Sequence, residues 1–149
     1  MKNNKKDPYI SSDIYENDMD KTKRRPVKGH IISVCSRRSE KRGLRLIPHE
    51  TRALCKHEIH ELVTTDEINA GPNKTVNKVA IVCFFEITQG STSVVGSPVF
   101  INNKKIGEIA GFDDTHFPNH YNIVVISPQR FTGIEAILGI GDKISIGIL

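Results

Sequence analysis

Alternation of β-branched and polar residues recurs along most of the chain and predicts a series of short β-strands. Residues 27–35 and 44–47 show this pattern on either side of a charged segment that ends in Gly43, which predicts a first hairpin closed by Pro48. Residues 75–88 have the most apolar centre, from Val79 to Phe85. An uninterrupted apolar run of this kind predicts a central strand that is buried on both faces.

The second half of the chain continues the pattern. Residues 98–112 predict a hairpin in which Asn102 and Asn103 supply the positive φ angles of a tight turn. Residues 121–127 and 140–149 predict two further strands. Residues 50–64 fit both a helical stripe and a strand face, and their β-rich surroundings favour a strand.

These elements amount to about seven or eight short strands without βαβ alternation. We therefore expect an all-β fold, a small closed or partly open β-barrel, with a β-sandwich as the alternative. Residues 26–149 are expected to form a single domain of this kind. Residues 1–25 are polar, with too few apolar residues to bury a face, and predict a flexible arm.

Composition restricts the class of protein. The chain has 149 residues, of which 38% are hydrophobic and 26% charged, values that are typical of soluble globular proteins. The apolar runs are too short for a membrane-spanning helix, and the N-terminus lacks the apolar segment of a secretory signal. We expect a cytoplasmic protein without a membrane partner. The three cysteines form no Cys-x-x-Cys pair and predict reduced thiols.

The net charge is +4, and the basic excess lies in residues 21–25 and 37–42. No aromatic residue is interleaved there to stack on bases, so solvated segments are the favoured interpretation and nucleic acid is an unlikely partner. Whether the protein forms a homo-oligomer remains open.

Chemically versatile side chains concentrate between two predicted strands, in residues 111–121. This segment contains two histidines, two aspartates, an asparagine and a tyrosine, namely Asp113, Asp114, His116, Asn119, His120 and Tyr121. Such a cluster predicts a functional site, and it allows three interpretations.

The first interpretation is a metal site formed by Asp113, His116 and His120. Imidazole and carboxylate ligands suit a divalent ion such as zinc, iron or manganese. The spacing matches no established metal motif. The structural alternative is that Asp113 and Asn119 bind the backbone of their own loop.

The second interpretation is metal-free acid–base catalysis. Asp114 would raise the pKa of His116 and fix its tautomer, and Tyr121 would donate a hydrogen bond to an oxyanion. The third is ligand binding, for which Asn119, Glu86, His60 and Arg45 are candidates, with Glu58 as a further ligand for a metal.

The run from Gly111 to Val124, together with Arg42-Gly-Leu-Arg-Leu upstream, resembles a small bacterial family that is designated only as a domain of unknown function. The resemblance implies a compact all-β domain over residues 27–149. It transfers no activity, cofactor or catalytic residue.

The sequence thus favours a small-molecule-binding β-barrel with a His/Asp site. Such a protein could be a metal-dependent or acid–base enzyme of the lyase, isomerase or hydrolase type. The alternative is a non-catalytic binding or assembly module, and whether the protein is an enzyme stays open.

Overall fold

The structure, a computed structural model, describes residues 23–147 and has an all-β fold without helices in that part of the chain. Twelve strands follow one another: β1 (Val27–Val34), β2 (Arg38–Ser39), β3 (Leu44–Arg45), β4 (Thr51–Leu54), β5 (Ile59–Thr65), β6 (Thr75–Val76), β7 (Val79–Gln89), β8 (Ser91–Val94), β9 (Pro98–Ile101), β10 (Lys104–Asp113), β11 (Asn122–Ile126) and β12 (Lys143–Ile146).

Seven of these strands close into a ring. Their order is β1-β12-β9-β10-β11-β5-β7, and β7 pairs again with β1. All neighbours in the ring are antiparallel except β5 and β11, which run parallel. Closure satisfies the backbone groups that a sheet edge would leave unpaired. The prediction of an all-β fold of about seven or eight strands is confirmed, and seven of the strands form a closed ring.

Two apolar clusters lie on the two faces of this ring. One cluster contains Leu62, Phe85, Phe112 and Ile123. The residues that follow Leu62 and Ile123 along their strands, Val63 and Val124, belong to the other cluster. The second cluster is covered by the small β3–β6 sheet, which contributes residues such as Leu44. Burial on both faces explains why the centres of β7 and β11 are continuously apolar.

The first predicted hairpin is wrong. β1 pairs with β7 and β12, and Leu44 pairs instead with Val76 in β6. The predicted strand over residues 75–88 is correspondingly divided, because β6 and β7 bond to different partners. Alternation indicates that a segment is extended, but it does not indicate which segment lies beside it.

Two other segments agree with expectation. The β9–β10 hairpin turns at Asn102 and Asn103, whose φ angles are 50° and 67°. Residues 50–64 hold β4 and all but the last residue of β5, as the strand interpretation predicted, and the turn between the two strands includes His57 at a φ of 79°. Most of the predicted N-terminal arm lies outside the described residues. In residues 23–147 no helix has the length and apolarity needed to cross a bilayer.

Candidate functional site

The parallel pairing of β5 with β11 places the starts of both strands at the same end of the ring. Glu61 on β5 is opposite Asn122 on β11, and Asn122 is opposite Asp113 at the end of β10. The turn at residues 55–58 therefore lies beside the loop at residues 114–121. A cleft of about 360 Å³ opens between them, formed by residues 57–60 and 117–121.

His60 lies at the buried side of this cleft and is 3% exposed. Its Nδ1 accepts a hydrogen bond from the backbone amide of Tyr121 at 3.0 Å. Because Nδ1 accepts, Nε2 must carry the ring proton, and Nε2 lies 2.9 Å from Oε1 of Glu58. Burial lowers the pKa of His60, although the Glu58 carboxylate opposes this. The imidazole is therefore held neutral in a single tautomer.

Glu58 is the acidic group of the cleft. Its Oε1 accepts from the Cys55 amide at 3.0 Å as well as from His60. Partial burial raises the pKa of Glu58, but these two hydrogen bonds and the charge of Arg52 outweigh it, and the net pKa is lowered. The side chain is 43% exposed, so an ionised carboxylate faces the solvent side of the cleft.

Aromatic rings form the opposite wall. Tyr121 is buried, and its ring centroid lies 5.2 Å from that of Phe117 and 5.6 Å from that of His60. The guanidinium of Arg52 stands 4.1 Å from the Tyr121 centroid, which is cation–π geometry. Burial lowers the pKa of Arg52, although the negative charges of Asp114 and Glu58 act to raise it. The buried Nε of Arg52 has no hydrogen-bond partner in the described chain.

Asp113 is buried, and its carboxylate accepts hydrogen bonds from neighbouring residues. It is 1% exposed, and its carboxylate accepts hydrogen bonds from Asn122 Nδ2 at 2.8 Å and from the Thr115 hydroxyl at 2.9 Å. The Thr115 amide also donates to it, at 3.3 Å. These bonds connect the start of the 114–121 loop to β11, which is the loop-binding alternative that the sequence left open.

The structure brings two of the predicted metal ligands, His116 and His120, side by side, but it does not arrange all three around one point. The imidazoles of His116 and His120 stack with centroids 5.0 Å apart, while the Asp113 carboxylate is directed to Thr115 and Asn122. No group of three or more His, Cys, Asp or Glu side chains within residues 23–147 is arranged to hold a metal ion.

His120 differs from His60 in what surrounds its nitrogens. Nδ1 lies 2.9 Å from Oδ1 of Asn119, and Nε2 lies 3.9 Å from Oε1 of Glu61. The Asn122 side chain acts to raise the pKa of His120. His120 Nε2 and Asn122 Oδ1 are both buried, and neither makes a hydrogen bond within the described residues. Burial lowers the pKa of His120, and the charge of His116 lowers it further. Burial raises the pKa of Glu61.

The remaining predicted residues are dispersed. Asp114 is exposed and near Arg52, and it makes no hydrogen bond or ion pair with His116. Glu86 lies between two histidines outside the loop, 3.6 Å from His30 and 3.8 Å from His57. Arg45 is exposed on β3 and does not line the cleft.

Five predicted residues therefore line one cleft: Glu58, His60, Asn119, His120 and Tyr121. Sequence reasoning missed Phe117 and Glu61. Glu61 reaches His120 only through the parallel register of β5 and β11, which has no local signal in the sequence. Phe117 could have been noticed as an apolar ring within a polar loop.

Comparison with known proteins identifies a family whose function is unknown. A family model described as "Family of unknown function (DUF6917)" matches residues 21–147. No curated protein and no solved structure matches the chain.

Proposed function

Because the chain belongs to the family of unknown function DUF6917, which offers no activity to transfer, we propose a function from the cleft itself. The protein binds a small molecule that donates a hydrogen bond to Glu58 and places an apolar face against Phe117. This proposal retains the small-molecule binding expected from the sequence and moves its centre from Asp113 and Asp114 to the His60–Glu58 pair.

The arrangement of Glu58 is the observation that carries the proposal. Both of its hydrogen bonds go to Oε1, and Oε2 accepts none from residues 23–147. A carboxylate held in place by two donors is already oriented, so a ligand would lose little free energy in ordering it. Hydrogen bonds to a charged acceptor are roughly twice as strong as neutral ones.

Phe117 supplies the apolar part of the site. Its ring is 58% exposed although it packs on Tyr121, and Pro118 continues the same wall. Covering exposed apolar surface contributes about 25 cal/mol per Å². A ligand with one polar edge and one apolar face would use both features.

The test is an NMR-detected screen of small sugars, amines and amides against the full chain. Binding should shift the amide resonances of residues 57–60 and 116–121. Glu58→Gln keeps the acceptor at Oε1 but removes the charge, so we expect binding to weaken about tenfold. Phe117→Ala should weaken it by a comparable factor.

Glu50→Gln is the matched control, because this half-buried glutamate makes no ion pair within residues 23–147. The affinity of the Glu50→Gln variant for the ligand should stay within about twofold of that of the parent. Ligands whose shifts map elsewhere, or equal affinity in the Glu58 variant and the parent, would contradict the proposal.

A second candidate function, acid–base catalysis, is supported by His120. Acceptor oxygens of Asn119 and Glu61 lie 2.9 Å and 3.9 Å from its two ring nitrogens, so this imidazole can carry a second proton without losing a contact. We assign the proton-transfer role to His120 and Glu61 in preference to Asp114 and His116. Tyr121 remains the candidate hydrogen-bond donor to a substrate.

A further inference from the structure

A larger cavity, of about 660 Å³, lies on the face of β1 and β12 that points away from the core. Val27 and Ile31 are buried in the core, and the intervening Lys28 and His30 point to the opposite face. Lys143 and Ser145 line the same cavity from β12. We refer to this cavity as the lysine groove.

Strand register brings the groove residues close to one another. Lys28 is directly opposite Ser145, and His30 is directly opposite Lys143, in an antiparallel pair. Directly opposed residues have Cβ atoms about 4.5–5.5 Å apart, and diagonal neighbours about 7–8 Å. Lys28 and Lys143 are diagonal neighbours, so a ligand a few ångströms across can contact both ammonium groups.

The positive charges of the groove are not neutralised by the protein. Neither Lys28 nor Lys143 makes an ion pair within residues 23–147. Glu86 is the carboxylate on this face, and it lies 3.6 Å from His30. Asp142 accepts a hydrogen bond from the Gly139 amide at 2.8 Å. Two nearby positive charges repel each other, and an anion bound between them would be attracted to both.

Ser145 gives an independent indication of a ligand. The residue is 9% exposed, and its buried hydroxyl has no hydrogen-bond partner in the described part of the chain. A buried hydroxyl without a hydrogen-bond partner destabilises the free protein, and a bound ligand that accepts its hydrogen bond would remove this cost. The oxygen of an anion bound by the lysines would accept this hydrogen bond.

We propose that Lys28, Lys143 and Ser145 form a binding site for an oxyanion, specifically the phosphate group of a larger molecule. Lysine binds phosphate as a point charge and needs no fixed hydrogen-bond geometry. Asn103, at the tip of the β9–β10 hairpin, and Thr88 line the same groove and offer further polar groups. The site is separate from the cleft and does not depend on the function proposed there.

The first experiment titrates the full chain with inorganic phosphate and follows amide resonances. Shifts should concentrate at residues 28–30 and 143–145. The double variant Lys28→Gln, Lys143→Gln should bind phosphate at least about tenfold more weakly. Lys74→Gln, Lys78→Gln removes the same charge from two exposed lysines elsewhere and should change the affinity less than about twofold.

Failure of the parent chain to bind phosphate, or an equal loss in both double variants, would overturn the proposal. Ser145→Ala provides a second measurement. It should weaken phosphate binding several-fold while leaving Tm unchanged or higher, because the hydroxyl has no bond to lose in the free protein. Unchanged phosphate affinity in this variant would remove Ser145 from the site.

A vesicle experiment identifies the source of the phosphate. Sedimentation with phosphatidylcholine vesicles, with and without phosphatidylglycerol, separates a lipid headgroup from a soluble phosphate compound. Binding to the anionic vesicles that the lysine substitutions abolish indicates a lipid. Binding of free phosphate without vesicle binding indicates a soluble ligand. If the protein binds neither free phosphate nor the anionic vesicles, the proposed site is refuted.

Discussion

The backbone amide of Tyr121 donates a hydrogen bond to Nδ1 of His60, with the two nitrogens 3.0 Å apart. The bond joins the residue that precedes β11 to the second residue of β5, where these strands begin side by side. A proton on Nδ1 would face the amide hydrogen and break the bond. His60 can therefore fix Glu58 in place, but it cannot act as a base without local rearrangement.

The free energy of unfolding should decrease as the pH falls below about 6.5. The pKa of His60 is lowered from 6.5 in the folded protein, chiefly by burial, so the unfolded chain binds more protons in this range. The stabilising contribution is complete above the unfolded pKa and is lost as the pH falls toward the folded pKa.

Urea unfolding of His60→Gln should show a weaker pH dependence than the parent in that range. The side-chain amide oxygen of the variant can still accept from the Tyr121 amide, and Glu61 contributes equally to both proteins. His49→Gln, at an exposed histidine, serves as the control. Parallel stability curves for parent and His60→Gln would refute the neutral-histidine assignment.

His120 should titrate at a pH that depends on its stacked neighbour His116. Its pKa is lowered by burial first and by the charge of His116 second, so His116→Ala should raise it. Ring-proton NMR shifts measured against pH would report the change. If the His120 titration is identical in parent and variant, the stacked pair is not coupled in solution.

Asp113→Ala should destabilise the fold by about 1–3 kcal/mol. The substitution removes acceptors from Thr115 and leaves Asn122 Nδ2 buried without its bond. The exposed neighbour Asp114 provides the matched control, and Asp114→Ala should cost no more than about 0.5 kcal/mol. Chemical denaturation measures both. Equal effects at the two positions would refute the structural role of Asp113.

Gly107→Ala should be among the most damaging small substitutions in the ring. A Cβ at this buried position would overlap the backbone carbonyl of Ile126, which the strand pairing holds in place. Overpacking of this kind costs about 1–3 kcal/mol or more. Gly71→Ala, where no atom lies within 4 Å of the new Cβ, should leave Tm nearly unchanged. A small Tm change for Gly107→Ala would show that the strands can separate locally.

The sequence predicted the parts of the fold that depend on local chemistry. The Asn102-Asn103 turn followed from the φ angles that asparagine tolerates, and the strands followed from alternation. Partners could not be predicted in the same way. The pairing of Glu61 with Asn122 depends on a parallel register between segments far apart in the chain, so the position of His120 against Glu61 was inaccessible.

The pairing of β1 with β12 sets an order of events during synthesis. These are the first and last strands of the described chain, and Val27 is opposite Ile146. A ribosome must have released almost the whole segment before they can meet, and contacts between residues so distant in sequence form slowly. Until then β1 can pair only with β7, and the backbone groups of its other edge stay unpaired. An unpaired strand edge can bind another chain and aggregate, or it can be bound by a chaperone.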